Sequence, residues 1–146
     1  MRIAFKYLLV LILAASAFAG ARAEDAVISV TPGNYQIKRE NSSKDDPNVT
    51  VNTEEKCIKD KLFDPVAALP QGRGCTATNV KKSGNTVTYD FTCSGGEEMP
   101  PLVGKAEYSS NGMAIGWDIT VTGQFEGKPV TIVTKAEGKR VGECKQ

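Results

Sequence analysis

Strict two-residue alternation of apolar and polar side chains, short breaker-rich turns between the alternating stretches, and four widely spaced cysteines together point to a mainly β domain. The expected fold is an antiparallel meander forming a curled sheet or small barrel, with one short helical segment and two disulfides. A two-layer sandwich is the competing architecture. No crossover long enough for a parallel sheet separates the stretches.

The chain opens on Arg2 and Lys6, an apolar run from Tyr7 to Gly20, and the triplet "ARA", with small residues at Ala21 and Ala23, ahead of Glu24 and Asp25. A basic start, a short apolar core and small residues before a cut describe a secretory leader. We expect cleavage after Ala23, so residues 1–23 are read as a signal peptide and 24–146 as a single β domain. Removing the leader from 146 residues leaves 123, enough to bury about two-thirds of the unfolded surface. It also removes Arg2, Lys6 and Arg22, so the 18 basic residues become 15 against 17 acidic ones, a net charge of −2. Such a balance argues against nucleic acid as a partner, because phosphate binding needs a concentrated basic surface. After Ala23 no apolar run is long enough to span a membrane as a helix.

"TPGNYQIKRE" starts with a Pro-Gly turn, after which Tyr35, Ile37 and Arg39 alternate with Gln36, Lys38 and Glu40 as in a half-buried strand. "NSSKDDPN" is expected to be a polar loop, and "VTVNT", with Val49 and Val51 on one face, a second strand leading to Cys57. In "KCIKDKLFDPVAALP" the alternation stops. Asp64 followed by Pro65 has the form of a helix N-cap and first turn, since aspartate accepts orphan amide bonds and proline has no amide to lose. Pro70 bounds this helical segment to two turns at most.

"GCTATNVKKSGNTVTYDFTC" reads as a hairpin. A three-residue loop of Ser83, Gly84 and Asn85 would pair Cys75 with Cys93, Ala77 with Phe91 and Asn79 with Tyr89. Sulfur, methyl and aromatic groups then share one face, while Thr76, Thr78, Thr88, Asp90 and Thr92 share the other. A two-residue turn would slip the register by one and separate the thiols. Further strands are expected around Leu102–Tyr108, Ile115–Thr122 and Val130–Val141, divided by "SSNG" and "QFEGKP".

With Cys75 joined to Cys93, the remaining pair is Cys57 with Cys144, one of three possible connectivities. In the chain-entropy picture the short loop contributes about 3 kcal/mol and the long one about 4–5 kcal/mol. The rival zinc reading lacks any C-x-x-C pair and any histidine, so no metal and no cofactor is expected. The absence of histidine also removes Ser-His-Asp and Cys-His mechanisms. Glu97, Glu98, Asp45 and Asp46 fall in loops, and Asp90 and Asp118 on polar strand faces, where a carboxylate most simply meets water. No catalytic residue is assigned. "LPQGRGC" lacks the lysine and helix of a phosphate loop. Tyr35, Tyr89, Phe91, Tyr108 and Trp117 are candidates to line an apolar ligand cavity or, as small barrels usually do, to fill the core.

"PGNY", "KCI" followed by "FDP", the cysteine-bracketed hairpin and the ending "GKRVGEC" together resemble the DUF3617 family, exported Gram-negative bacterial proteins of unknown function. The resemblance runs from Pro32 to Cys144, and its most specific parts are the hairpin and the terminal spacing of Gly138, Gly142 and Cys144. Tyr35 stands where many members carry tryptophan, and "GEC" replaces the commoner "GDC". The resemblance implies a periplasmic location and no catalytic residues. The functional expectation is a disulfide-stapled, non-enzymatic domain holding a small apolar ligand or contacting an envelope protein. Its alternatives are a carboxylate-based hydrolase and a secreted enzyme inhibitor presenting "SGGEEMPPLVG".

Overall fold

A computed structural model describes residues 26–95 and 100–145. The expected leader, the loop residues Glu97 and Glu98, and with them most of the proposed inhibitory loop's tip, lie outside the described residues.

Alternation becomes strand almost throughout. The elements are β1 (Ile28–Ser29), β2 (Gly33–Ser43), β3 (Asp46–Ile58), β4 (Leu62–Phe63), β5 (Cys75–Ser83), β6 (Thr86–Cys93), β7 (Leu102–Ser110), β8 (Ala114–Phe125) and β9 (Lys128–Gly142). Seven of them form one antiparallel sheet in the order β3-β2-β9-β8-β7-β6-β5, and β1 pairs with β4 in a separate two-stranded ribbon. From β5 to β9 the chain is a meander. The β2–β3 hairpin is then added beyond β9, so the last strand sits inside the sheet. The ends, β3 and β5, do not meet, and the sheet is open.

Two expectations change in detail. "NSSKDDPN" is not a loop: β2 and β3 continue through it and only Lys44 and Asp45 form the turn, since Ser43 pairs with Asp46. Its polarity reflects a strand end wet on both faces rather than a break in pairing. The Asp64 cap does form, its carboxylate accepting from the amides of Val66 at 2.9 Å and Ala67 at 3.0 Å. A single turn follows it, and the one helical turn among the described residues is a 3-10 turn at Gln71–Arg73, beyond Pro70. The residues between the Asp64 cap and Pro70 close one turn, the Ala68 amide donating to the Asp64 carbonyl at 3.2 Å, while Leu62 and Phe63, ahead of the cap, pair with β1.

The hairpin solves its register in an unexpected way. Its turn is two residues, Gly84 and Asn85, with Gly84 at φ +58, and Ser83 pairs with Thr86. Such a turn would misalign the thiols, but Thr78 pairs with Asp90 while Lys81 pairs with Thr88, so Asn79 and Val80 together face Tyr89. This bulge absorbs one residue and brings Cys75 opposite Cys93. The expected pairing of Asn79 with Tyr89 is therefore lost. An unbulged strand would have aimed the amide of Asn79 at the buried face beside Tyr89.

Both disulfides form as expected, Cys57–Cys144 and Cys75–Cys93. Both outer strands are also irregular. In β3, Pro47, Asn48 and Val49 stand opposite Ser42 alone, and β5 carries the Asn79 bulge. Bulges, Pro47 and the charges of Lys81, Lys82, Glu54 and Glu55 blunt edges that would otherwise recruit further strands.

One face of the sheet is buried. Val87, Tyr89, Phe91, Cys93 and Ala106 form the larger cluster with Ala26 and Ile28, while Tyr35, Ile37 and Ala136 form a smaller one with Ile58, Ile115 and Trp117 packed on it. The covering layer is the chain from Ala26 to Thr31 together with the segment from Ile58 to Leu69. It is tied down by the amide of Val30 donating to the Lys61 carbonyl at 2.9 Å and by the Tyr89 hydroxyl donating to the Pro65 carbonyl at 3.0 Å.

Candidate functional site

The five aromatic side chains separate into two groups. Tyr35, Tyr89 and Phe91 are buried, whereas Tyr108 and Trp117 are half-buried. Tyr89, Tyr108 and Trp117 nevertheless stand in one row across β6, β7 and β8, with ring centroids 6.3 Å and 6.2 Å apart. Phe63 from the cover leans on Tyr108 at 5.8 Å. The row ends in a cation: the Arg39 guanidinium on β2 lies 5.8 Å from the centre of the Trp117 ring. Between them on β9 stands only Ala136, which pairs with both Trp117 and Arg39. The methyl group is small enough for the arginine to reach across it. Arg39 also donates to the Glu54 carboxylate at 2.9 Å.

Small residues recur wherever a large ring or branch must lie flat. A side chain at Gly104 would overlap the Phe91 ring, and one at Gly138 would meet Ile115 and Ile37. The buried face is thus built from interleaved large and small positions, as close packing requires.

Past the cover, this face continues uncovered over β8 and β9. Ile119 and Val121 are half-buried, while Ile132, opposite Val121, is 47% exposed and Phe125 68% exposed. With Trp117 they share the inner side of β8 and β9, where Ile119 and Val121 pack against the larger cluster and the Leu102 side chain lies over Gly123 ahead of Phe125; Arg39, Glu54 and the Asn41–Thr134 hydrogen bond of 2.8 Å form the rim. Burial raises the hydroxyl pKa of both Tyr89 and Tyr108 above the ordinary value, in Tyr89 with a further push from Tyr108. These groups are neutral hydrogen-bonding and packing elements at neutral pH.

The opposite face is polar. A groove of about 480 Å³ is lined there by Thr88, Asp90, Lys105, Glu107, Asp118 and Thr120, among others. Glu107 and Asp118 are cross-strand partners, so two carboxylates share its floor. Asp118 is faced by Lys135 at 3.5 Å and Asp90 by Lys105 at 3.9 Å. All four of these paired side chains are more than a third exposed, and the arrangement is that of a solvated charge ladder. A second concavity, of about 580 Å³, lies beside the β1–β4 ribbon between Val30, Pro32 and Leu62. Among the described residues no group of three or more His, Cys, Asp or Glu could hold a metal, and no helix is long and apolar enough to cross a membrane.

Three of the motifs that carry the family resemblance meet at one corner. The Arg140 Nε donates to the Pro32 carbonyl at 2.8 Å, while its guanidinium pairs with Glu143. Gly33, at φ +153, lies so close to the Arg140 side chain and the Gly142 carbonyl that no Cβ fits. Asn34 pairs with Cys57 on one side and Gly142 on the other, and Cys57 is bonded to Cys144. "PGNY", "KCI" and "GKRVGEC" are therefore parts of one structural clasp. Tyr35 completes it, its hydroxyl shared between the carbonyls of Thr31 at 2.7 Å and Gly112 at 3.1 Å.

Reading the residues in order missed Asn85. Its side chain acts as a strand partner for Ser29, accepting from the Ser29 amide at 2.6 Å and donating to the Ser29 carbonyl at 2.8 Å and the Ser110 carbonyl at 2.9 Å. Its place in a tight turn hid this second task. Arg39 carries only a strand signal in the sequence, since nothing local shows that its neighbour two strands away is a tryptophan.

No curated protein and no solved structure matches the chain. The family model described as a protein of unknown function (DUF3617) matches residues 30–144, which span the whole open sheet from the start of β2 to Cys144, with both disulfides and the clasp. The chain therefore belongs to the DUF3617 family.

Proposed function

We propose that this is an exported, periplasmic, non-enzymatic domain that binds a small apolar molecule on the uncovered part of its inner face. The observation that carries the reading is the strip of Trp117, Ile119, Val121, Phe125 and Ile132, which continues the buried face beyond the covering layer. A buried-face pattern left open to water is costly, by about 25 cal/mol for each Å² of apolar surface, and a bound apolar molecule recovers that free energy. Export is supported by the leader-like residues 1–23 and by two disulfides, which persist in oxidising compartments.

Trp117 is the only tryptophan and lies in the strip, so it reports directly on the site. Titration of the mature chain with a long-chain fatty acid, followed by Trp117 emission, should give a saturable blue shift that Ile132→Glu weakens. Native mass spectrometry of protein purified from the periplasm should show a releasable apolar adduct. A bare polypeptide together with no change in Trp117 emission would remove the reading, and co-purification of a stoichiometric protein instead would redirect it to an envelope partner.

A carboxylate-based hydrolase is the second reading, favoured by the Glu107–Asp118 pair in the polar groove. It ranks lower because the groove is open and lysines face two of its carboxylates.

A further inference from the structure

The two disulfides differ in how far one partner of each is exposed. Cys93 is 4% exposed and packs within the larger core cluster, with Cys75 against it. Cys75 is half-buried at the start of the edge strand β5, so a reductant has only that sulfur to approach, and the Cys93 side of the bond is closed to it. Cys57, in contrast, is exposed on the outermost strand, and its partner Cys144 is half-buried at the chain end. The exposed bond joins β3 to the segment after β9 across the intervening β2.

The side chains of the strand that this bond holds add little to its attachment. Every residue of β3 from Asp46 to Cys57 is exposed, and Ile58 alone packs against a core cluster. Apart from the main-chain ladder to β2, the strand is kept in place by the Arg39–Glu54 ion pair and a 2.9 Å hydrogen bond from Asn34 to Glu55, both on the surface. Exposed polar contacts of this kind contribute little. The remaining six strands keep both buried clusters, because Tyr35, Ile37 and Ala136 lie on β2 and β9.

We propose that Cys57–Cys144 is a redox-gated latch on the edge strand: a dithiol donor opens it while Cys75–Cys93 stays bonded, and β3 then detaches from an otherwise intact sheet. In the reaction a donor thiolate attacks the exposed Cys57 sulfur and forms a mixed disulfide, and Cys144 leaves as a thiolate that takes up a proton. The donor's second thiol displaces Cys57, which is also protonated. Two electrons pass to the bridge and the donor ends as its own disulfide. Opening exposes the outer edge of β2, with its unpaired main-chain groups.

The test uses dithiothreitol–disulfide buffers of graded potential, rapid alkylation, peptide mapping and amide hydrogen exchange on the mature chain. Cys57 and Cys144 should be alkylated at potentials where Cys75 and Cys93 remain bonded. Under those conditions exchange in residues 46–58 should rise by about tenfold or more, while residues 86–93 keep their protection. The oxidised Cys57→Ser, Cys144→Ser double variant should show the same exchange pattern without any reductant. Joint reduction of the two bonds, unchanged protection of residues 46–58 after selective reduction, or loss of protection across the whole sheet in either sample would each overturn the latch.

Discussion

Asn79 donates its side-chain amide to the Asp90 carboxylate at 2.7 Å from a backbone in the left-handed region, at φ +53. That one residue reconciles a two-residue turn with a disulfide that needs the register of a longer one. Asparagine tolerates this conformation because its short polar side chain bonds locally, whereas a Cβ-bearing apolar residue is strained there. Asn79→Ala should lower stability by about 1–2 kcal/mol, and Asn79→Gly by less, since glycine loses only the hydrogen bond. Urea unfolding of the oxidised chain checks the ranking, and equal effects would show that the bulge conformation is not the source.

Ala136 separates Arg39 from Trp117. Ala136→Leu should force the guanidinium off the ring and strain a site that is 4% exposed, at a cost of about 1–3 kcal/mol. A lower unfolding midpoint with altered Trp117 emission is the expected result.

Gly104 lies beneath the Phe91 ring, and a methyl group there would also come 2.6 Å from the Thr120 carbonyl oxygen. Gly104→Ala should therefore destabilise by about 1–3 kcal/mol even though alanine is the better residue for an unfolded-state argument. Gly127→Ala meets no neighbouring atom but keeps a positive φ of +76, so its cost should come from backbone strain alone. Thermal melts of the two variants separate packing from conformation, because only the cost of Gly104→Ala should be reduced, in part, by Phe91→Leu, the contact with the Thr120 carbonyl remaining.

Tyr89 and Tyr108 have hydroxyl pKa values raised above the ordinary 10.0, with burial as the first cause. In the unfolded chain these groups lose protons near 10, so above that pH the unfolded state binds fewer protons than the native one. Their contribution to stability is complete below pH 10 and declines as pH rises toward the folded values. Unfolding free energy measured from pH 8 upward should fall beyond about 10, with phenolate absorbance appearing together with unfolding. Tyr89→Phe should lose about 1 kcal/mol at neutral pH, by orphaning the Pro65 carbonyl, and should flatten the alkaline decline.

Much of the architecture can be read along the chain. Tyr35 and Ile37, or Val87, Tyr89, Phe91 and Cys93, alternate with polar neighbours so regularly that the buried face is assigned before any contact is known. The boundaries of β2 and β3 were less legible, because "NSSKDDPN" has loop composition yet stays paired. The inner-face strip was legible as Ile119 and Val121 and, through Trp117, as a candidate ligand lining, but Phe125 and Ile132 were not part of that reading. Whether such residues are core or exposed surface depends on where the cover, Ala26 to Thr31 and Ile58 to Leu69, stops, and that is set by contacts far apart in the chain.

Strand type and the side each residue presents follow from short-range rules: a period of two and turn chemistry. The placement of β9 between β2 and β8, the bulge at Asn79, the reach of Arg39 to Trp117 and the clasp around Gly33 follow from non-local packing. They form where distant segments find surface to bury together and main-chain groups to satisfy, and no local pattern encodes which distant segment that will be.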